Sequence, residues 1–334
     1  MRFSAVLYQN LIRAAQKRII TRAKKVLYVS RLPKAAFTQL TPTTNYPMKT
    51  RLVQTLRLLT LPALFYAALC PARAEKLFDF GFNESGPFAI SSVDAKSQIA
   101  LLLKNAKGDS ADLHGPAGSG VSGKPNDRAF DASSAQGMGK GVGDATDPGR
   151  GINYGPVACA DEDTGLVSGL ESYTIQGWFK ADRDVLGQVA RLVCFSIDGG
   201  KSAVMDLGGN STGGTLYYGC GANGEAAKVN LRATPNAFWM IDTWVFFAVT
   251  YSKDTFTFYV GSTAETVARA GVSASPGKTA DIRATMQIGN VANRQRPFKG
   301  WMDNVRIYGS KSGESGALSL QDLEALRLGD VRGE

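Results

Sequence analysis

An all-β chain is the architecture this sequence predicts: two antiparallel sheets stacked as a jelly-roll sandwich, with one short C-terminal helix. Three observations predict it. Apolar and polar residues alternate with period two in several segments of Glu75–Glu334, clusters of Gly, Ser and Asp interrupt those segments at short intervals, and long apolar patterns of helical period are absent.

The elements follow in order. Short strands are expected at Lys76–Phe82, Gln98–Leu103 and Arg128–Ala132. Tyr173, Ile175, Gly177 and Phe179 then alternate with Thr174, Gln176, Trp178 and Lys180, giving a strand with two distinct faces. Leu192–Ile197 is rich in β-formers, and further strands are expected at Ala203–Leu207, Thr215–Cys220 and Lys228–Arg232. Val245, Phe247, Val249 and Tyr251 alternate again, Ser252–Thr255 is polar and turn-forming, and Phe256, Phe258 and Val260 resume the pattern. Trp244–Gly261 therefore reads as a hairpin. Met286–Gly289 and Trp301–Tyr308 complete the strands. The helix is expected over Ser319–Arg327, where Ser319 caps, Asp322 stands at the third helical position, and Leu320, Leu323 and Leu326 share a face. Gly108–Asn126, Gly137–Gly151 and Gly208–Gly214 read as rim loops. No internal repeat or linker divides Glu75–Glu334, so it is expected to form one domain.

Charge is distributed unevenly. The first acidic residue is Glu75, and 13 of the 38 Lys and Arg precede it; the remaining 25 against 29 Asp and Glu leave Glu75–Glu334 at a formal −4. The overall +9 thus belongs to the leader, and no nucleic-acid partner is expected, since such a partner would need the positive charge on the folded part. Met48–Ala74 has the three parts of a secretory signal: Lys49, Arg51 and Arg57, the apolar run Leu58–Cys70, and Ala72-Arg73-Ala74 as an A-x-A cleavage site. That run has 13 residues, whereas a spanning helix needs roughly 20, and Leu69 stands where a lipoprotein anchor wants a small residue before Cys70. Cleavage before Glu75, a secreted, periplasmic or cell-surface location and no stable membrane anchor are the expectations. Met1–Pro47 reads as an upstream extension or a start assigned too early, without folded structure.

Four blocks carry a family resemblance: Tyr173–Lys180, Asp242–Tyr251, Phe256–Gly261 and Phe298–Tyr308, followed by Leu318-Ser319 and a short helix. In this order and spacing they resemble the laminin G-like domain of the concanavalin A-like lectin/glucanase fold over Leu77–Leu328, in a secreted bacterial form. Where the family's hairpin opens with Trp then His, Val245 and Phe246 follow Trp244, which removes a polar rim group. The hydrophobic sorting segment and basic tail of many such members are not seen after Asp330, so retention on a surface by that route is not expected.

Glycosidases of this fold carry Glu-x-Asp-x-x-Glu on one strand, so that two carboxylates flank the sugar bond; the pattern does not occur in Glu75–Glu334. The single histidine, His114, sits in the Gly/Pro-bearing segment Leu113–Pro116 and reads as a solvated loop residue, with neither a catalytic triad nor a histidine zinc site behind it. Calcium suits the chain better. Asp161-Glu162-Asp163-Thr164-Gly165 sets two carboxylates at alternate positions before a glycine, and Asp303 is the second candidate because the resemblance implies a structural ion near the last strands. Of the cysteines after the leader, Cys194 and Cys220 lie in expected strands and are a candidate disulfide that leaves Cys159 over; buried thiols at all three are the alternative. Trp239, in the loop Asn236–Met240, with Tyr217 and Tyr218 behind it, is the best-placed candidate for stacking on sugar rings, with packing in the core or loop as the alternative. Trp178, Trp244 and Trp301 are assigned to the core. The expectation for function is a non-catalytic binding or adhesion module for carbohydrate or a cell-surface or matrix partner. A polysaccharide-acting enzyme and a structural envelope or matrix protein are the alternatives.

Overall fold

The computed structural model describes residues 74–93, 99–133, 139–140, 153–160, 167, 169–182, 189–197, 200–210, 213–220, 226–230, 241–274, 285–294 and 296–334. They form two antiparallel sheets and one helix. The first sheet runs β1 (Glu75–Phe80), β17 (Gly300–Ser310), β8 (Ser172–Ala181), β13 (Trp244–Ser252), β14 (Thr255–Ser262) and β15 (Ala268–Ala274), with β4 (Phe130–Asp131) also on β17. The second runs β12 (Ala226–Asn230), β11 (Gly213–Cys220), β10 (Gly200–Asn210), β9 (Val189–Ile197), β16 (Thr285–Ile288), β7 (Val157–Cys159), β3 (Ala100–Lys104) and β2 (Phe88–Ile90). A two-stranded ribbon pairs β5 (Gly139–Lys140) with β6 (Asn153–Tyr154). The helix, α1, is Leu320–Arg332. Among the described residues no helix is long and apolar enough to cross a membrane.

Period-two patterning sets the faces. Tyr173, Ile175 and Phe179 of β8, Val245, Phe247, Val249 and Tyr251 of β13, and Phe256, Phe258 and Val260 of β14 all enter the core between the sheets. Their alternates face outwards, yet β8 is buried almost throughout, because α1 lies over that outer face. Trp178, Phe246 and Ala248 meet Leu323 of α1 and Val121 in a second apolar cluster. One sheet thus carries apolar groups on both faces, the inner for the sandwich and the outer for the helix. Trp178 is the tryptophan of that layer; Trp244 packs only at its edge and is half-buried, as is Trp301, so the core assignment holds fully for one of the three.

Two sequence expectations change in extent. Gly208–Gly214, read as a rim loop, is almost wholly strand: β10 continues to Asn210 and β11 begins at Gly213, with Gly208 opposite Thr215 and Asn210 opposite Gly213. Cross-strand hydrogen bonds outweigh the low strand propensity of glycine there. The helix extends to Arg332 rather than ending at Arg327. Its N-terminus is the expected capping box, in which the Ser319 side chain accepts from Asp322 N–H and the Asp322 carboxylate accepts from Ser319 N–H. Gly333, left-handed at φ 64°, closes the other end.

Candidate functional site

The last long strand carries an irregularity that organises the outer face of the first sheet. On β17 the register against β8 shifts between Asp303, opposite Trp178, and Arg306, opposite Gln176. Asn304 adopts φ 48° within this bulge. An extra residue reverses the alternation locally, so Asp303 and Arg306, three apart, both point towards the side covered by α1, while Val305 enters the main core.

Arg306 then sits at the centre of a buried ionic network. Its Nε donates to Asp79 Oδ1 at 2.9 Å, Nη1 to Asp330 Oδ2 at 2.9 Å, and Nη2 to Asn304 Oδ1 at 3.1 Å; Nη2 also lies 2.7 Å from Asp330 Oδ1. Asp79 also holds Lys76 Nζ at 2.5 Å, and Asp330 accepts from Trp178 Nε1 at 2.8 Å. Burial alone would lower the guanidinium pKa, but the carboxylates of Asp330 and Asp79 raise it, so Arg306 stays cationic. The network ties β1, β17, β8 and α1 together.

Beside it, between β1, β17 and α1, opens a groove of ≈790 Å³. Lys76, Asp79 and Tyr308 line its sheet side, and Ala325, Leu326 and Gly329 its helix side. A Cβ added at Gly329 would meet nothing within 4 Å, so the groove is open at that point.

The residues singled out in the sequence are distributed differently. Trp239, Asp161 and Asp163 lie outside the described residues. Tyr217 is in β11, its backbone opposite Asp206 and Lys228, and its side chain lies outside the described residues. Tyr218 is a core residue rather than part of a ligand platform: it is 1% exposed, its hydroxyl meets that of Tyr173 at 2.7 Å, and its ring packs edge-on against Phe256 at 5.1 Å. The alternation along β11 turns it towards the core.

Asp303 is wholly buried, and its two oxygens accept the backbone N–H groups of Val121 (2.9 Å) and Asn304 (2.7 Å). Burial first, and the nearby charge of Asp127 second, push its pKa well above the usual carboxylate range. It ties loop 115–127 to β17 through backbone hydrogen bonds, the clamping role expected of an ion. Among the described residues no group of three or more His, Cys, Asp or Glu is placed to hold a metal.

The Cys194–Cys220 bridge does not form. Cys194 pairs with Val204 and Cys220 with Ala203, on opposite sides of β10, so two interstrand spacings, roughly 9–10 Å, separate them. A disulfide needs Cα atoms about 4.4–6.8 Å apart. Cys194 and Cys159 are buried thiols.

His114 is not a solvated loop histidine. Its imidazole is fully buried between Asp112, whose Oδ1 lies 2.8 Å from Nδ1, and Glu84, whose Oε2 lies 3.6 Å from Nε2. Neither this arrangement nor the Arg306 network was evident from local spacing, because the partners meet only across the fold.

Comparison with known proteins places this sandwich. Residues 153–314, just under half of the chain, match the Laminin_G_3 family model, described as the concanavalin A-like lectin/glucanases superfamily. Over those residues the sandwich is similar to the laminin G-like domains of that superfamily. No curated protein matches the chain. Among solved structures, domain 4 of AbnA, a GH43 extracellular arabinanase from Geobacillus stearothermophilus, in complex with arabinotriose, is similar at 15% identity and TM-score 0.40, over 77% of this chain and 100% of that one. A heptameric SAP-like pentraxin from Limulus polyphemus aligns at 12% identity and TM-score 0.38, over 49% and 73%. The botulinum neurotoxin serotype D ligand binding domain in complex with N-acetylneuraminic acid aligns at 9% identity and TM-score 0.44, over 76% of this chain and 50% of that one. Likenesses of this depth carry no functional argument.

Proposed function

We propose that the protein is a non-catalytic, extracytoplasmic binding module for carbohydrate or for a glycan-bearing surface. The family match over residues 153–314 carries this reading. The buried charges agree with it: Asp79, Asp330, Arg306 and Asp303 are engaged with one another or with backbone and Trp178 N–H groups, and so serve the scaffold. The groove beside α1 and the Trp239 loop are the two places where a ligand would sit. Calcium belongs, in this reading, to the Asp161–Asp163 loop, since Asp303 has backbone donors in place of an ion.

A glycan array with the purified protein tests the proposal, run with calcium and with EDTA. Specific binding is expected. Gly329→Leu should abolish binding at the groove without unfolding the domain: the new side chain enters open space, and in the last turn of the helix leucine is a better helix former than glycine. Loss with Trp239→Ala instead places the ligand at the loop, and loss with Asp161→Ala/Asp163→Ala or EDTA makes it calcium-dependent. Turnover of a polysaccharide would replace this reading with the enzymatic one, and an array without binding would favour a structural envelope role. The location is tested separately: mature protein from a secreting host is expected to begin at Glu75, and a chain retaining Leu58–Cys70 would be anchored instead.

A further inference from the structure

Strand β2 ends the eight-stranded sheet. Its inner edge is paired with β3, and the pairing is extended by Leu103 N–H to Pro87 O (2.8 Å) and Ser91 N–H to Ile99 O (2.9 Å). The backbone groups of Phe88 and Ile90 therefore face the open edge. Their side chains are 40% and 41% exposed. An uncovered edge with apolar side chains is a template for unwanted strand pairing. Here Glu84 occupies one donor of that edge: Oε1 accepts the Ile90 N–H at 3.3 Å.

What holds Glu84 there is His114. Oε2 of Glu84 is buried 3.6 Å from His114 Nε2, and neither atom has a hydrogen-bond partner. On the other side of the ring Asp112 Oδ1 meets Nδ1 at 2.8 Å and the His114 backbone N–H at 3.1 Å, while Asp112 Oδ2 accepts the Gly86 N–H at 2.9 Å. Loop 81–87 is thus held on one side by Asp112 and on the other through the ring. Only the imidazolium offers an N–H to both carboxylates; the neutral ring with its proton on Nδ1 would turn a lone pair towards Glu84.

We propose that His114 is a pH-sensitive latch: as imidazolium it fixes Glu84 over the open edge of β2, and its deprotonation releases Glu84 and uncovers the Ile90 N–H. The charged groups acting on the ring are Glu84 from loop 81–87 and Asp112 from the segment before it; Phe130 of β4, bridged to His114 through backbone, brings no charge. Burial alone would lower the imidazole pKa, but the two carboxylates raise it above 6.5. Burial raises both carboxyls, while the Gly86 N–H and then the His114 contacts lower Asp112, and the His114 contact and then backbone N–H groups lower Glu84, with a net downward shift for both. The signs define a window. Stabilisation from His114 is complete below pH 6.5 and is lost as pH rises through its folded value, while that from the carboxylates is complete above their ordinary values and is lost in acid. The latch is closed from about pH 5 upwards and opens only as pH rises through the folded value of His114, which lies above its ordinary one.

Amide hydrogen exchange and imidazole chemical shifts, followed by NMR on the purified protein from pH 5.5 to 9, test this. After correction for the intrinsic exchange rate, protection of the Ile90 amide should fall at least tenfold as His114 deprotonates, while the Leu103 amide, bonded within the sheet, keeps its protection. Because His114→Ala risks unfolding the loop, Glu84→Gln is the decisive variant: it should lower the His114 pKa and leave Ile90 less protected at pH 6. Constant Ile90 protection across the His114 titration, or a His114 pKa indifferent to Glu84→Gln, overturns the proposal.

Discussion

Asp330→Ala is expected to lower the free energy of unfolding by about 3–5 kcal/mol, the usual cost of removing one partner from a buried ion pair. Asp330 is buried on α1 and takes two guanidinium nitrogens of Arg306 together with the Trp178 N–H. Its loss leaves Arg306 with Asp79 and Asn304 alone, and leaves the indole N–H without its acceptor in an apolar cluster. The effect exceeds that of any single surface pair, such as Lys253 with Glu314, because the indole is fully buried and the Arg306 side chain is only 12% exposed. Asp330→Asn separates the two parts: the amide oxygen can still accept from Trp178, so the remaining loss reports the charge. Chemical denaturation at constant pH measures both. A change below about 1 kcal/mol for Asp330→Ala would mean that the helix docks by apolar contact alone and that the network is incidental.

The difference between what could and could not be read in the sequence has a physical origin. The β13–β14 hairpin was legible because its signal is local: alternation on both arms and a polar turn, which the structure closes with Lys253 and Asp254 at φ 46° and 56°. The capping box of α1 was legible for the same reason, since Ser319 and Asp322 are one turn apart. Glycines misled at Gly208 and Gly214, where a cross-strand ladder overrides composition. The Arg306 network was not legible. Asp79 lies 227 residues from Arg306, and only the bulge at Asn304 brings Asp303 and Arg306 to the same face, where uninterrupted alternation would have put them on opposite sides. His114 was misread for a related reason. A histidine followed by glycine and proline looks solvated until Glu84, 30 positions earlier, folds across it. Tyr218 shows the converse: aromatic type suggested a ligand platform, but strand register turned the ring inwards.

Trp178→Ala should also cost about 3–5 kcal/mol, the range for truncating a fully buried large aromatic. Trp244 was assigned to the core alongside it; its half-buried position at the edge of the second cluster makes Trp244→Ala the milder change, at about 1–2 kcal/mol. Trp178 packs edge-on against Phe246, with centroids 5.3 Å apart at 74°, and donates to Asp330. Removing it therefore empties the layer between sheet and helix and strands a carboxylate oxygen at once. Trp178→Phe keeps much of the ring volume and loses the N–H, so the difference between the two variants separates packing from hydrogen bonding. Because Trp178 and Asp330 share that bond, Trp178→Phe combined with Asp330→Ala should cost less than the sum of the single changes, by roughly 0.5–3 kcal/mol. Strict additivity would show that the helix does not depend on this bond, and that Leu323 and its apolar neighbours hold it against the sheet.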